Sequence, residues 1–502
     1  MASETPNQIS LRLMVDKERN RLLFAEAEKE FVDVLLSFLT LPLGTIARLV
    51  SKDSNLKLIR FGCISSLYQS VGNMDYKCFC TNTCKEMLLK PRNPMEAHCG
   101  NLKINIDDTE PTKYFICPKF ECRENTESVL LSTFRNHHKC YCGSNLSSEI
   151  KLDSSINVAS EGFVQEMVTF IILDDLSVIT IGDRYTTLGL LRNLGIKDTP
   201  MALTVDITQN EVLDILKCAS LSMSKTVLSD IFLHKKQYIE KSKSLESYLL
   251  IKGEKAIVEE DNKNVKLKMK LTVRKSNGKV MFAEVEKDFV DVLLSFLTLS
   301  VGAVGHILGV DSCFGCLSQL YTSVFDLNCK YFNSEEMKGM LNNPGVAPQF
   351  KVNTDILKVH EVTHSKYSCF TSQNGSDISS SLTAARQSNY ISYANKYIDV
   401  YSTVTLLDPK IPIKGKSNSD GGFVKGPSMY MVTDDLVVKP FSFSSAVSFL
   451  NESNVGDDDL EERIISIRVK EVMAILKASV MMSSSALTTA LSPFIKSIKE
   501  EK

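Results

Sequence analysis

The sequence predicts an α+β protein built from two tandem copies of one unit. Three observations lead there. Two 18-residue blocks, Phe24–Leu41 and Phe282–Leu299, differ at two positions only, Ala27/Val285 and Glu30/Asp288. Around each block, a segment with the period of a strand gives way to one with the period of a helix. Each half then closes on strand, turn, strand, helix, strand and helix. Hairpins and helices that segregate in this way, rather than alternating strand by strand, are the mark of an α+β fold.

The order of matching segments fixes the copies. The blocks lie 258 residues apart; Phe61-Gly62-Cys63 then matches Phe314-Gly315-Cys316. Gly162-Phe163-Val164 matches Gly422-Phe423-Val424, and Asp174-Asp175-Leu176 matches Asp434-Asp435-Leu436. Glu211-Val212 and Ile215-Leu216-Lys217 return as Glu471-Val472 and Ile475-Leu476-Lys477. A repeat this long is a duplicated domain; solenoid units run only about 20–50 residues. The first copy is read as residues 9–242, the linker as 243–264 and the second copy as 265–502. The stretch His234–Asn264, rich in Lys, Glu and Ser, suits an exposed connector.

Within a copy the elements follow from pattern. Val265–Arg274 alternates apolar and polar residues, Ser276-Asn277-Gly278 signals a turn, and Lys279–Phe282 returns as a strand. A helix follows, with Phe31, Val34, Leu35, Phe38 and Leu39 on one face. Val32 and Leu36 are apolar too, which predicts a helix buried on most sides, ended by Pro42 and Gly44. A second helix is expected over Cys63–Ser70 and Cys316–Val324. Further on come a strand over Val168–Leu173, a turn at Asp174-Asp175, a short helix over Tyr185–Leu194 stopped by Gly195, and a strand over Ala202–Ile207. Thr208 precedes Glu211 by three residues, the spacing of a capping box, and opens a helix with Val212, Ile215, Leu216 and Ala219 on one face. Arg468 replaces Thr208 in the second copy, which predicts the loss of that cap.

Composition narrows the function classes. With 502 residues, 43% apolar and 24% charged, the chain is long enough for several domains and ordinary for a folded protein. Its 58 basic and 60 acidic residues nearly cancel, so no chain-wide field draws it to nucleic acid or an anionic membrane. No segment reaches the ~18 apolar residues a membrane helix needs. Met1–Ser10 lacks a signal-peptide pattern, so the expected compartment is cytoplasmic or nuclear. No Walker-type loop, GxGxxG, GxSxG or HExxH occurs.

The cysteines hold the most specific constellation. There are 14, nine of them from Cys63 to Cys142. In a reducing compartment a disulfide framework is not expected. Cys117-Pro118-x3-Cys122 and Cys140-x-Cys142-Gly143 offer two close pairs, the usual delivery of four thiolates to a tetrahedral zinc. Pro118 and Gly143 suit tight turns. These four residues are the candidate ligands of a structural zinc in a zinc-ribbon-like segment, about residues 112–145. His137 or His138 could take the place of a cysteine, and the alternative is four unrelated thiols in a loop. The second copy keeps only Cys369 between Lys351 and Ser402, so its matching loop must be ordered otherwise or stay flexible. Cys313-x-x-Cys316 lacks a thioredoxin-like frame and reads as packing. Cys78, Cys80, Cys84 and Cys99 lack a clean second pair for a metal.

The Leu23–Thr45 block LFAEAEKEFVDVLLSFLTLPLGT, the CPxxxC…CxCG segment and the DDL turn followed by an LLKAS-like helix together resemble the plant "domain of unknown function 674" family. The likeness covers nearly the whole chain, twice. It implies a land-plant protein and supplies no catalytic residue, substrate or cofactor. The second copy departs from it in having Ser300 for Pro42 and in lacking the paired cysteines.

The functional expectation is a non-enzymatic binding or scaffold protein, with structural zinc in the first copy, contact between the copies and a protein partner. A small-molecule enzyme with a site between the copies is the alternative, and a nucleic-acid-binding protein a third. The acidic pairs Asp174-Asp175 and Asp434-Asp435 are the best catalytic lure. Neighbours on a strand point to opposite faces, however, and turn chemistry explains them more simply. Glu26/Glu28 and Glu284/Glu286 suit helix N-termini. Lys266, Lys268, Lys270 and Arg274 could face phosphates, but lysines on a strand more often guard a sheet edge.

Overall fold

A computed structural model describes residues 8–52, 60–124, 128–152, 162–181, 187–195, 200–220, 225–233, 266–309, 315–350, 354–357, 359–360, 367–374, 377–384, 390–394, 397–411, 421–426 and 428–496. The expected linker 243–264, the segment His234–Lys243 and Cys313 lie outside them. The strands of residues 1–242 are β1 (Ile9–Asp16), β2 (Arg21–Ala27), β3 (Tyr114–Ile116), β4 (Ser128–Leu131), β5 (Ser148–Leu152), β6 (Phe170–Ile172), β7 (Val178–Ile179) and β8 (Met201–Ile207). Those of the C-terminal half are β9 (Leu267–Arg274), β10 (Val280–Glu286), β11 (Tyr367–Asn374), β12 (Asp377–Ala384), β13 (Tyr390–Ala394), β14 (Tyr397–Leu406), β15 (Met429–Thr433), β16 (Val438–Pro440) and β17 (Leu460–Ile467).

The protein is α+β, with three sheets among the described residues. One five-stranded sheet has the order β7-β6-β2-β1-β8 and another the order β16-β15-β10-β9-β17. Both are antiparallel throughout, with the expected hairpin at or beside the centre. Alternation along β1 sends Ile9, Leu11, Leu13 and Val15 into the core. The third sheet mixes the halves in the order β13-β14-β11-β12-β5-β3, with β4 against β14. β5 runs parallel to β12, and β4 parallel to β14.

The helix Lys29–Ser37 is buried from Phe31 to Ser37, as its all-round apolar sequence predicts. Pro42 and Gly44 do not end the helical path. A 3₁₀ turn over Phe38–Thr40 bends it, Pro42 sits at the N-cap, and a new helix runs over Leu43–Ser51. Proline has no N–H to leave unsatisfied at a helix start, so it begins this helix more readily than it stops the last. Ser300 holds the matching N-cap and accepts the Ala303 N–H at 3.2 Å. The expected second helices are present over Ile64–Asn73 and Cys316–Asp326. The Arg468 cap is not wholly lost. Glu471 still accepts the Arg468 N–H at 2.8 Å, as Glu211 accepts that of Thr208 at 3.1 Å. Arginine carries donors only, so the other half of the box goes.

One hydrophobic core runs through both halves, from Leu11, Phe31 and Phe38 to Phe289, Phe296 and Leu476. Backbone contacts across the junction come in pairs that exchange the halves. Leu43 N–H bonds Leu299 O at 2.8 Å, and Val301 N–H bonds Leu41 O at 3.1 Å. Cys80 N–H bonds Phe423 O at 2.9 Å, and Asn333 N–H bonds Phe163 O at 3.0 Å. Lys425 N–H bonds Cys78 O, and Gln165 N–H bonds Tyr331 O, both at 2.9 Å.

The bonds made by Phe163 and Phe423 adjoin two inward-facing carboxylates, Asp33 buried and Asp291 half-buried. Asp33 Oδ1 accepts the N–H groups of Phe163 (2.7 Å) and Val164 (3.0 Å), and its Oδ2 pairs with Lys29 at 2.8 Å. Asp291 does the same for Phe423 (2.7 Å) and Val424 (3.0 Å), with Lys287 at 2.7 Å. Gly162 and Gly422 precede these segments because a Cβ there would stand 1.8–1.9 Å from the carboxylate. Burial raises both aspartates above their ordinary pKa, against the pull of the paired lysines and the backbone N–H groups. Asp33→Ala strands two buried N–H groups and takes the counter-charge from the Lys29 ammonium, and is expected to destabilise the fold by about 3–5 kcal/mol. A lowered urea midpoint at unchanged slope checks this.

Candidate metal centre

Cys117 follows β3 directly, and Cys122 lies in the single helical turn Glu121–Glu124. The second pair sits on a tight hairpin. Cys140 N–H bonds Ser144 O at 2.8 Å, and Gly143 N–H bonds Cys140 O at 2.9 Å. Gly143 takes φ +82°, a region costly for a residue with a Cβ. Ser147 N–H bonds Ile116 O at 3.1 Å and ties the hairpin to the strand that delivers Cys117.

This geometry brings the four sulfurs of Cys117, Cys122, Cys140 and Cys142 within 4.8 Å of one another. Cys117 and Cys142 are 3.7 Å apart. Zn–S bonds of about 2.3 Å in a tetrahedron put sulfurs about 3.8 Å apart, so the cluster could hold a metal ion with little movement. Cys117 and Cys140 are buried, Cys122 is half-buried and Cys142 exposed. Burial pushes the Cys117 thiol up to about 11 and Cys122 higher still, each further raised by neighbouring thiols. Hydrogen bonds from Ser144, by side chain and then backbone, bring Cys142 down to about 6. Four thiolates would leave no open coordination position, which suits a structural rather than a hydrolytic ion.

The histidines stand elsewhere. His137 Nε2 donates to Pro409 O at 2.8 Å, and His138 Nε2 to Asp408 O at 3.1 Å. Nδ1 of His138 is left to accept the Ser132 hydroxyl at 3.1 Å. Burial lowers both pKa values, that of His138 to about 4, so the rings are neutral donors near pH 7. Neither His137 nor His138 replaces a cysteine. Cys78, Cys80, Cys84 and Cys99 do not gather. Cys80 meets Val424 O at 3.1 Å, Cys84 the Thr81 hydroxyl at 3.1 Å, and Cys99 the Thr40 hydroxyl at 3.4 Å. The described residues between Lys351 and Ser402 form the helical turn Thr354–Leu357 and the strands β11 to β14, without cysteine pairs. Cys369 is buried in a small apolar cluster there, beside the Thr371 hydroxyl.

The other candidates resolve into structure. Asp175 accepts the Ser177 N–H at 3.0 Å, as a turn aspartate should, with Leu176 at φ +65°. Asp174 is buried and accepts the Ser229 N–H and hydroxyl at 2.8 and 2.7 Å. Asp434 holds Thr488 in the same way, at 2.7 Å for each bond. These aspartates anchor the short helices Val227–Phe232 and Ala486–Ala490. The basic strand β9 lies between β10 and β17 and guards no edge. Lys270 meets Glu284 at 3.4 Å and Glu462 at 2.7 Å, and Arg274 meets Asp459 at 2.7 Å, so neighbouring acids take up this charge.

A cleft of about 1040 Å³ brings Glu28, Lys29, Asp33, Lys103 and Glu166 together. Its lining comes from residues 28–33, 101–103 and 162–169, all in the N-terminal half and not between the halves. Its buried acid and base already serve the Phe163–Val164 backbone. Neither of these Lys–Asp sets is among the candidates singled out from the sequence. The signal was there: Lys29/Asp33 and Lys287/Asp291 recur at helical i,i+4 spacing inside the repeated block.

The molecule is thus an α+β protein with a four-cysteine cluster able to hold a metal ion. No described helix is long and apolar enough to cross a membrane. Residues 5–470 match the family model "Protein of unknown function (DUF674)", and the chain belongs to that family. No curated protein and no solved structure matches it.

The anchoring carboxylates make stability depend on pH. Burial raises the Asp434 pKa to about 6, against the hydrogen bonds from Thr488. An unfolded aspartate titrates near ~3.9, so the native state keeps a proton that the unfolded chain has released. This contribution is complete below about pH 4 and is lost as pH rises through about 6. Asp434→Asn is therefore expected to lose less stability than the wild type over that window, by up to about 3 kcal/mol. Urea midpoints of the two proteins across the window check this; parallel curves would count against it.

Proposed function

We propose that the protein is a scaffold of two α+β units, residues 9–242 and 265–502, copied in tandem, the first held by a structural zinc on Cys117, Cys122, Cys140 and Cys142. The observation that carries the metal assignment is the convergence of four sulfurs from two tight turns onto one point. Soft thiolates in a tetrahedral set favour zinc over harder divalent ions. The small core beside it, with Phe115, Leu130 and Leu146, offers little apolar area to order residues 117–147 unaided. A metal–thiolate set can contribute on the order of 10–16 kcal/mol to folding such a segment.

The tandem reading draws support from the matched sequence blocks, the equal strand order of the two five-stranded sheets and the paired contacts that exchange the halves. An interface of that kind is what a self-complementary dimer would leave after fusion of its genes. Thiolate ligation requires reduced cysteines, which fits a cytoplasmic or nuclear setting. Purified protein is expected to carry about one zinc per chain, and Cys140→Ser with Cys142→Ser to carry almost none. Elemental analysis decides it; a metal-free wild type prepared under reducing conditions would refute the assignment.

A further inference from the structure

The loop that a metal would close carries described groups, between residues 128 and 138, that hold the C-terminal half. Cys122 and Cys140 bound that loop. Inside it, β4 pairs with β14 from Ser128/Thr403 to Leu131/Leu406. Leu131 O then accepts the Leu407 N–H at 2.8 Å, and the Ser128 and Thr405 hydroxyls meet at 2.6 Å. His137 and His138 donate to the carbonyls of Pro409 and Asp408. Leu407 itself packs against the core that holds Cys117 and Cys140.

The segment so gripped is central to the junction. Pro409 O also accepts the hydroxyls of Thr81 and Thr83, each at 3.0 Å, from the start of the helix Asn82–Leu89. Lys410 is buried and pairs with Asp408 at 3.2 Å. Its ammonium also bonds Phe350 O and lies 5.4 Å from the centre of the Phe423 ring. Phe423 is the residue whose backbone Asp291 and Cys80 hold.

We propose that the metal centre is a clasp between the halves, so that a soft divalent cation, by closing the Cys122–Cys140 loop, locks residues 403–410 in place and its removal frees them. This rests on the metal reading above and adds its consequence: zinc supply or thiol chemistry at the N-terminal half controls order in the C-terminal half. The physical reason is loop closure. With the ends of the loop pinned, β4 and the two imidazoles are held in register for their partners; without the ion each bond must fix its own flexible chain.

Hydrogen–deuterium exchange on the full chain tests it, comparing zinc-loaded protein with protein stripped by a chelator. Amides of residues 405–411 are expected to exchange about tenfold faster after stripping, together with those of residues 128–150. Zinc-loaded protein with His137→Ala and His138→Ala is expected to show the faster exchange at 405–411 with its zinc content unchanged. The clasp is overturned if zinc binds at one per chain but its removal alters only residues 112–150, or if the double variant leaves 405–411 fully protected. The metal reading survives both of those outcomes. It fails, and the clasp with it, only if elemental analysis finds no zinc.

Discussion

The structure hangs on two carboxylates that face inward. Asp33 and Asp291 each hold a Phe-Val backbone by its two N–H groups, leaving the carbonyl of Phe163 or Phe423 to accept a bond from the opposite half. A buried carboxylate is costly, and each is tolerable only because a lysine one helical turn away and two N–H donors share its charge. The lysine is thereby also committed, since Lys29 gives a second bond to Val164 O at 2.8 Å. These polar groups thus orient the segments through which the N- and C-terminal halves meet. The apolar core supplies the bulk of the attraction, but attraction without direction would not set the register of the paired contacts.

The same economy recurs one layer out. Asp174 and Asp434 face inward from a turn and fix the N-terminal ends of Val227–Phe232 and Ala486–Ala490. The hydroxyl partner is Ser229 in one half and Thr488 in the other, and these hydroxyls in turn accept the N–H of Leu22 and Val280, both at 2.9 Å or less. One carboxylate therefore links a turn, a helix end and the start of a hairpin strand. Adjacent acidic residues that look like a catalytic pair are divided in labour: Asp175 shapes the turn, and Asp174 is spent on packing.

Much of this was legible from local pattern. The hairpin, the all-round apolar helix and the DDL turn depend on neighbours in sequence, and their periods and turn residues announce them. The cysteine quartet was legible because metal chemistry demands close pairs. What was not legible depends on distant partners. Pro42 reads as a stop, yet it begins a helix because Leu43 and Val301 reach across to the opposite half at that point. Lys270 reads as an edge lysine, yet β17 arrives from 190 or more residues away to cover it. His137 and His138 read as spare ligands because no sequence feature shows that residues 408–409 turn their carbonyls toward them. The third sheet, assembled from strands of both halves, was invisible for the same reason.

The two halves differ most where the third sheet forms, and the difference has a physical logic. The N-terminal half contributes three short strands there, of three, four and five residues, too small to stand alone. The C-terminal half contributes four strands of five to ten residues that pair among themselves before meeting β4 and β5. A self-paired set of that size satisfies most of its backbone groups internally and has no need of a cross-link; three short strands joined by turns do not. The cysteines accordingly occur on the side whose own backbone pairing is confined to β3 with β5 and the Phe115–Ser132 bridge. The parallel contacts β4–β14 and β5–β12 then join the longer strands to the shorter ones, beside which the four cysteines gather.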